Sequence, residues 1–277
     1  MVCLMCETQK LSIMGQTMRL YRRGRQFVRF SVLKMRSNLN EMLQRIGVYK
    51  YKQLSDEESV DFLLNNKEVG VVRFGNSELS YVDGSEKDNQ VQNVHLRKKL
   101  VDILENHPSK TSYEVGLPLD ATILSGTSKR KVRRSLWDRA PRLVVQIYAK
   151  RDYEYLSPFL FRLLNVVSDD KNKYVEKLKT LFEGRDIIYV GPNTGRNADI
   201  WDGIRPKEIV SIPEANAFDI FDEIKNIATE KAQNYEKPLV LVVAGITATA
   251  LSAELNENGI TTYDLGQITR HVKACIN

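Results

Sequence analysis

KPLVLVVAGITATALSAELNENGITTYDLG, residues 237–266, holds two periods joined by a glycine. Leu239 to Ala244 is a continuous apolar run of strand length, which predicts a strand buried on both faces. From Thr247 to Asn258 small and apolar residues recur at helical spacing, and Gly259 stands where a left-handed residue ends a helix. Thr261 to Leu265 predicts the next strand. Strand, glycine, helix, glycine, strand in so short a span is one unit of a parallel sheet with a crossover helix.

Upstream the alternation continues. Asp186 to Val190 (DIIYV) and Ile209 to Ile212 read as strands, with a helix predicted over Ala217 to Lys231. In the front half Ser55 and Glu58 form a capping box for a helix running to about Asn65, and Val69 to Phe74 is a strand leading into Gly75. Val91 to Asn106, Lys129 to Ala140 and residues 168–182 read as helices, Tyr113 to Leu117 as a strand, and Leu143 to Tyr148 (LVVQIY) as a buried strand. The expected fold is α/β: a doubly wound, mostly parallel, Rossmann-like sheet with helices on both faces.

The chain of 277 residues carries a formal charge of +6. Residues 1–45 contain nine Lys and Arg against Glu7 and Glu41, which is +7, so the remainder sums to about −1. All six methionines also lie there, the last at Met42. Residues 1–48 therefore read as a basic appendage and 49–277 as the working domain. Within the appendage a helix over 17–46, with Leu20, Phe27, Phe30, Leu33 and Leu43 among arginines, suits a membrane surface, a partner protein or plain solvent. Nucleic acid is not expected, because no recognisable binding fold accompanies the basic run. Cys3, Cys6 and Cys275 are too few and too peripheral for a disulfide framework. With no secretory signal and no apolar run long enough to span a bilayer, a cytoplasmic chain, peripheral to the membrane at most, is expected.

Ligands of open α/β sheets settle beyond the carboxyl ends of the strands. That rule selects four loops, each with a glycine just after an apolar strand: Gly75 to Glu78, Gly191 to Arg196, Gly245 to Thr247, and Asp264 to Gln267. Glycine lets backbone N–H groups approach phosphate, and a helix start favours it. None of the loops is a dinucleotide fingerprint, a P-loop or a serine-nucleophile elbow, so NAD enzymes, P-loop NTPases and serine hydrolases fit poorly.

Three segments in order resemble the GT-D glycosyltransferases. Val71-Val72-Arg73-Phe74-Gly75-Asn76-Ser77-Glu78 is similar to their R-F-G-D-G-E strand and loop. The Ile212 to Phe218 stretch, with Asn216, is similar to their asparagine segment, and Ala244 to Thr249 with Tyr263 to Gln267 to their closing glycine loops. A weaker likeness covers Ser157 to Arg162. The resemblance implies transfer of a sugar from a nucleotide sugar, a uridine diphosphate sugar in particular, to a hydroxyl of a glycan or glycoprotein, in polysaccharide or protein glycosylation. It implies donor contacts from Arg73, Gly75, Asn76, Ser77, Arg162, Asn216, Gly245, Thr247, Gly266 and Gln267, to which the strand-end rule adds Gly191 and Asn193. It also implies a divalent cation, manganese or magnesium, at Asn76 and Glu78.

This chain has Asn76 where the family has aspartate and Gln267 where histidine is common. Asparagine keeps an oxygen ligand but removes a charge, lowering cation affinity. Breaking the anomeric bond leaves charge on a diphosphate, which a cation, arginine or oriented N–H groups must meet. Glu78 and Asp264 are the candidate catalytic carboxylates, to take the acceptor proton. The structural alternatives are an Arg73–Glu78 ion pair at a strand end and Asp264 as a turn cap. Two rival functions remain at this level: a weakened GT-D-like scaffold in a glycosylation complex, and another enzyme on the same sheet, such as a methyltransferase.

Overall fold

The computed structural model describes residues 52–85, 90–110, 112–118, 144–145, 147–150, 153–162, 170–192 and 204–266. The appendage and its expected helix lie outside the described residues, as does the helix expected over 129–140. Six strands form one sheet: β2 (Gly70–Arg73), β3 (Tyr113–Gly116), β5 (Asp186–Gly191), β6 (Glu208–Ser211), β7 (Pro238–Val242) and β8 (Thr262–Asp264). The order across the sheet is β3-β2-β8-β7-β5-β6, and every pairing is parallel. All six carboxyl ends therefore share one edge. Two short strands, β1 (Lys52–Gln53) and β4 (Glu154–Tyr155), pair separately, and Gly116 bridges to Leu156.

Side chains alternate through the sheet into two cores. Ile188, Val190, Val240 and Val242 face one side, packed against α2 (Asn76–Asp83), α3 (Val94–Asn106), α5 (Phe221–Gln233) and α6 (Ile246–Glu257). Ile187, Tyr189, Leu239, Leu241 and Tyr263 face the other, against α1 (Asp56–Asn65) and α4 (Lys171–Thr180). β5 and β7 are apolar without alternation because both faces are covered. Helix α6 is buried on nearly every side, which explains its small, all-round apolar sequence, and it packs on β2 and β8 as well as α3 and α5.

The capping box of α1 forms as expected: Ser55 Oγ accepts from Glu58 N at 3.2 Å, and Ser55 N donates to Glu58 Oε2 at 2.8 Å. Gly259 adopts φ 80° after α6. The reading of LVVQIY as a strand is corrected, since Val144, Val145, Ile147 and Tyr148 are helical. A short apolar run fits either period, and here flanking contacts rather than local pattern decide. The helix expected over 217–231 begins instead with a 3₁₀ turn, Ala217–Ile220, before α5.

Candidate functional site

Strand β8 lies between β2 and β7, so Arg73 at the end of β2 meets Asp264 at the end of β8. Arg73 Nε donates to the Asp264 carbonyl at 2.7 Å, Nη1 to the Pro158 carbonyl at 2.5 Å, and Nη2 lies 3.4 Å from Asp264 Oδ1. Arg73 is 6% exposed and Asp264 2%. A guanidinium can be buried here because a carboxylate balances its charge and each of its three nitrogens has an acceptor. Asp264 Oδ1 also accepts from Gly266 N at 3.0 Å. Burial pushes the Asp264 carboxyl up from its ordinary value, while Arg73 and the Gly266 N–H pull it back. Thr249 on α6 donates to the Arg73 carbonyl at 2.9 Å and stands 3.4 Å from Asp264 Oδ2. One hydroxyl proton serves one acceptor well, and the shorter contact takes it. Gly266 has φ +58°, and a Cβ there would run into the Arg73 guanidinium.

Gly75 caps α2 and lets the chain turn directly from strand to helix. Glu78, at the third helical position, folds back so that Oε2 accepts from Gly75 N at 2.8 Å. The ion pair considered from sequence is thus with Asp264 rather than Glu78, which Arg73 meets only through its field. Glu78 is half-buried. Its carboxyl is raised, first by burial and next by the charge of Asp264. Asn76 and Ser77 are exposed on the first turn of the same helix.

Arg162 joins this cluster from a clamped loop. Ser157 donates its hydroxyl to Asp56 Oδ1 and its N–H to Ser59 Oγ at 2.8 Å, while the Tyr174 hydroxyl holds the Leu160 carbonyl at 2.7 Å. Phe161 stacks on Tyr263 with ring centroids 5.8 Å apart. The loop thereby delivers the Pro158 carbonyl to Arg73 and the half-buried Arg162 beside Glu78 and Asp264. Arg162 Nε is buried with no hydrogen-bond partner among the described residues. Burial, then the like charge of Arg73, lowers the Arg162 pKa, and the two carboxylates oppose that.

The other expected contacts are more dispersed. Gly191 and Gly245 end β5 and precede α6 on the same carboxyl edge, Gly245 with φ 56°. Thr247 is 1% exposed, its hydroxyl 3.2 Å from Gln90 Oε1. Asn216, at φ 54°, accepts from Val91 N at 2.9 Å through Oδ1. Asn193 and Gln267 lie outside the described residues. Sequence reading passed over Thr249, Gln90 and the Asp56–Ser157 clamp. For Thr249 a signal existed: two residues apart on a helix point about 200° apart, so Thr247 and Thr249 cannot both face the strand ends.

A family model described as the glycosyltransferase GT-D fold matches residues 71–274. The chain belongs to the GT-D glycosyltransferases. Among solved structures, one described as "The highly conserved domain of unknown function 1792 has a distinct glycosyltransferase fold" is 26% identical, with TM-score 0.69 over 89% of this chain and 85% of that one. "A New Glycosyltransferase (DUF1792) from Streptococcus sanguinis" is 27% identical, with TM-score 0.69 over 82% and 85%. No curated protein matches. The matched GT-D region contains the Arg73–Asp264 lock, Glu78 and Arg162.

Proposed function

We propose that this GT-D glycosyltransferase takes its sugar from a nucleoside diphosphate sugar, of the uridine type, and transfers it to a hydroxyl of a glycan or glycoprotein. The observation that carries the reading is Arg162: a guanidinium whose Nε is buried without a partner, next to Glu78 at the carboxyl edge of a parallel sheet. A buried donor left open beside a carboxylate fits an anionic ligand that completes it. The helix starts at Gly75 and Gly245 add N–H groups to the same edge.

In the reaction the acceptor oxygen attacks the anomeric carbon. The bond from that carbon to the β-phosphate oxygen breaks, and its electron pair leaves with the diphosphate. The acceptor proton passes to Glu78. Glu78 suits this role better than Asp264, whose side chain is 3% exposed and whose Oδ1 is held by Arg73 and Gly266. Burial raises both carboxyls, so the choice rests on this difference in access and hydrogen bonding. Asp264 instead holds Arg73, and with it the Pro158–Arg162 loop, in place.

Asn76 is exposed on the first turn of α2 and Glu78 Oε2 accepts from Gly75 N. A divalent cation would be held by these two side chains together with the donor diphosphate and would help meet the leaving charge. Arg162 with the helix N–H groups meets that charge from the protein side.

The test is a thermal-shift panel of nucleotide sugars on wild type and Arg162→Met, with and without manganese. A uridine diphosphate sugar should raise Tm in the wild type, without manganese, and lose the shift in Arg162→Met. A shift by no nucleotide sugar, or a shift by S-adenosylmethionine alone, would sink the reading.

A further inference from the structure

A hollow of about 510 Å³ opens between the first turn of α3 and the start of α5. Phe218 and Phe221 line it from below, and His95 and Lys99 from the α3 side. It lies within the size range of sites that take small ligands. Ile220 in its lining is 37% exposed, and Val94, which precedes His95 in the first turn of α3, is 74% exposed. Apolar side chains gathered around a concavity mark a surface that something covers.

The hollow is tied to the catalytic edge through one helix. Glu78 sits in the first turn of α2, and Tyr81 one turn on donates its hydroxyl to the Val91 carbonyl at 2.9 Å and accepts from Asn93 N at 2.7 Å. Asn93 in turn caps α3, accepting from His95 N at 2.8 Å. On the other wall Gln90 Oε1 meets the Thr247 hydroxyl at 3.2 Å and Phe218 N at 3.5 Å. Both walls are therefore positioned by the helices that begin at the glycine loops.

The polar groups define the chemistry of the occupant. Lys99 is committed to the Glu254 carboxylate, which Lys225 also holds at 2.9 Å, and both ammonium groups lie over the Phe221 ring. The Asp219 and Glu223 carboxylates and the His95 ring make no side-chain hydrogen bond to other described residues. Carboxylates at a helix start are stabilised by its dipole, which accounts for the acids but not for the exposed Val94 and Ile220 next to them. Carboxylates accept and do not donate, so they suit a ligand rich in hydroxyl donors and repel an anionic one. A sugar offers hydroxyls on its rim and C–H groups on its faces.

Resting on the glycosyltransferase reading above, we propose that this hollow is the acceptor subsite and takes the terminal sugar of a neutral glycan. Asp219 and Glu223 accept hydroxyls of the acceptor, and Val94 and Ile220 pack on its ring. The test uses the full chain, the nucleotide sugar selected by thermal shift, and a panel of p-nitrophenyl glycosides as acceptors. Asp219→Asn combined with Glu223→Gln, and separately Ile220→Ala, change exposed side chains and leave the fold intact. Each should raise the KM for the preferred glycoside by roughly tenfold, with kcat and the hydrolysis of donor in the absence of glycoside unchanged. An unmoved KM with intact donor hydrolysis overturns the subsite and leaves the glycosyltransferase reading standing. A donor-hydrolysing wild type that uses none of the glycosides also overturns it, and transfer to a serine peptide in that case assigns the hollow to polypeptide. A wild type that neither binds nor hydrolyses any nucleotide sugar overturns both.

Discussion

At the scale of single residues, the cluster at the strand ends divides one task between two carboxylates by environment. Asp264 is held by a guanidinium and a backbone N–H, whereas Glu78 is held only by backbone N–H groups, that of Gly75 at Oε2 among them, and faces the charge of Asp264. Glu78→Gln keeps an oxygen for Gly75 N and removes the charge. Transfer should fall by about 100-fold or more, the usual contribution of a general base. Stability should move the other way. Because the folded Glu78 carboxyl lies above its ordinary value of 4.5, the folded state binds this proton more tightly than the unfolded state. Wild type then loses stability as pH rises through the raised value, and the glutamine variant does not. Tm of Glu78→Gln should exceed that of wild type at neutral pH, with the gap closing below the ordinary carboxylate value. A lower Tm at neutral pH would mean that Glu78 is a stabilising ion-pair partner and not a strained base.

At the scale of elements, the β8–Gly266 turn fixes the end of Arg73. Gly266 sits at φ +58° against the guanidinium, so any side chain meets both a strained backbone and an occupied space. Gly266→Ala should cost about 1–3 kcal/mol of stability and displace Arg73 from Asp264. Since Arg73 also holds Pro158, four residues before Arg162, donor affinity should fall with it. Urea denaturation and donor titration on the same variant check the two effects together. Unchanged donor affinity in a destabilised variant would separate the Arg73 lock from the donor site. The sequence marked this turn as a glycine loop at a strand end, and marked the other three by the same rule. Helical spacing told that Thr247 and Thr249 point apart, but which of them faces Asp264 was not legible, because helix rotation is set by what α6 packs against on all sides.

At the scale of the whole molecule, charge and fold are separately distributed. Residues 1–45 carry +7 while the rest of the chain is near −1. Removing residues 1–48 should leave a folded, donor-binding protein that has lost attachment to anionic vesicles or to a partner protein, and that attachment in the full chain should weaken with salt as charges are screened over ~8 Å at physiological ionic strength. An unfolded 49–277 fragment would overturn that boundary. Much of the body's architecture was already written in local pattern. Unbroken apolar runs determined strands buried on both faces, the Ser55–Glu58 pair determined the start of α1, and glycines after strands marked the loops at the carboxyl edge. These are properties of a few consecutive residues, which period and cap chemistry report directly. Pairing order is not such a property. That β8 enters between β2 and β7, bringing Asp264 to an arginine 191 positions earlier, that LVVQIY coils into helix, and that Arg162 is left with an open buried donor were decided only by tertiary packing. The same apolar side chains satisfy several strand orders locally, and only the closed sheet with both faces covered selects one.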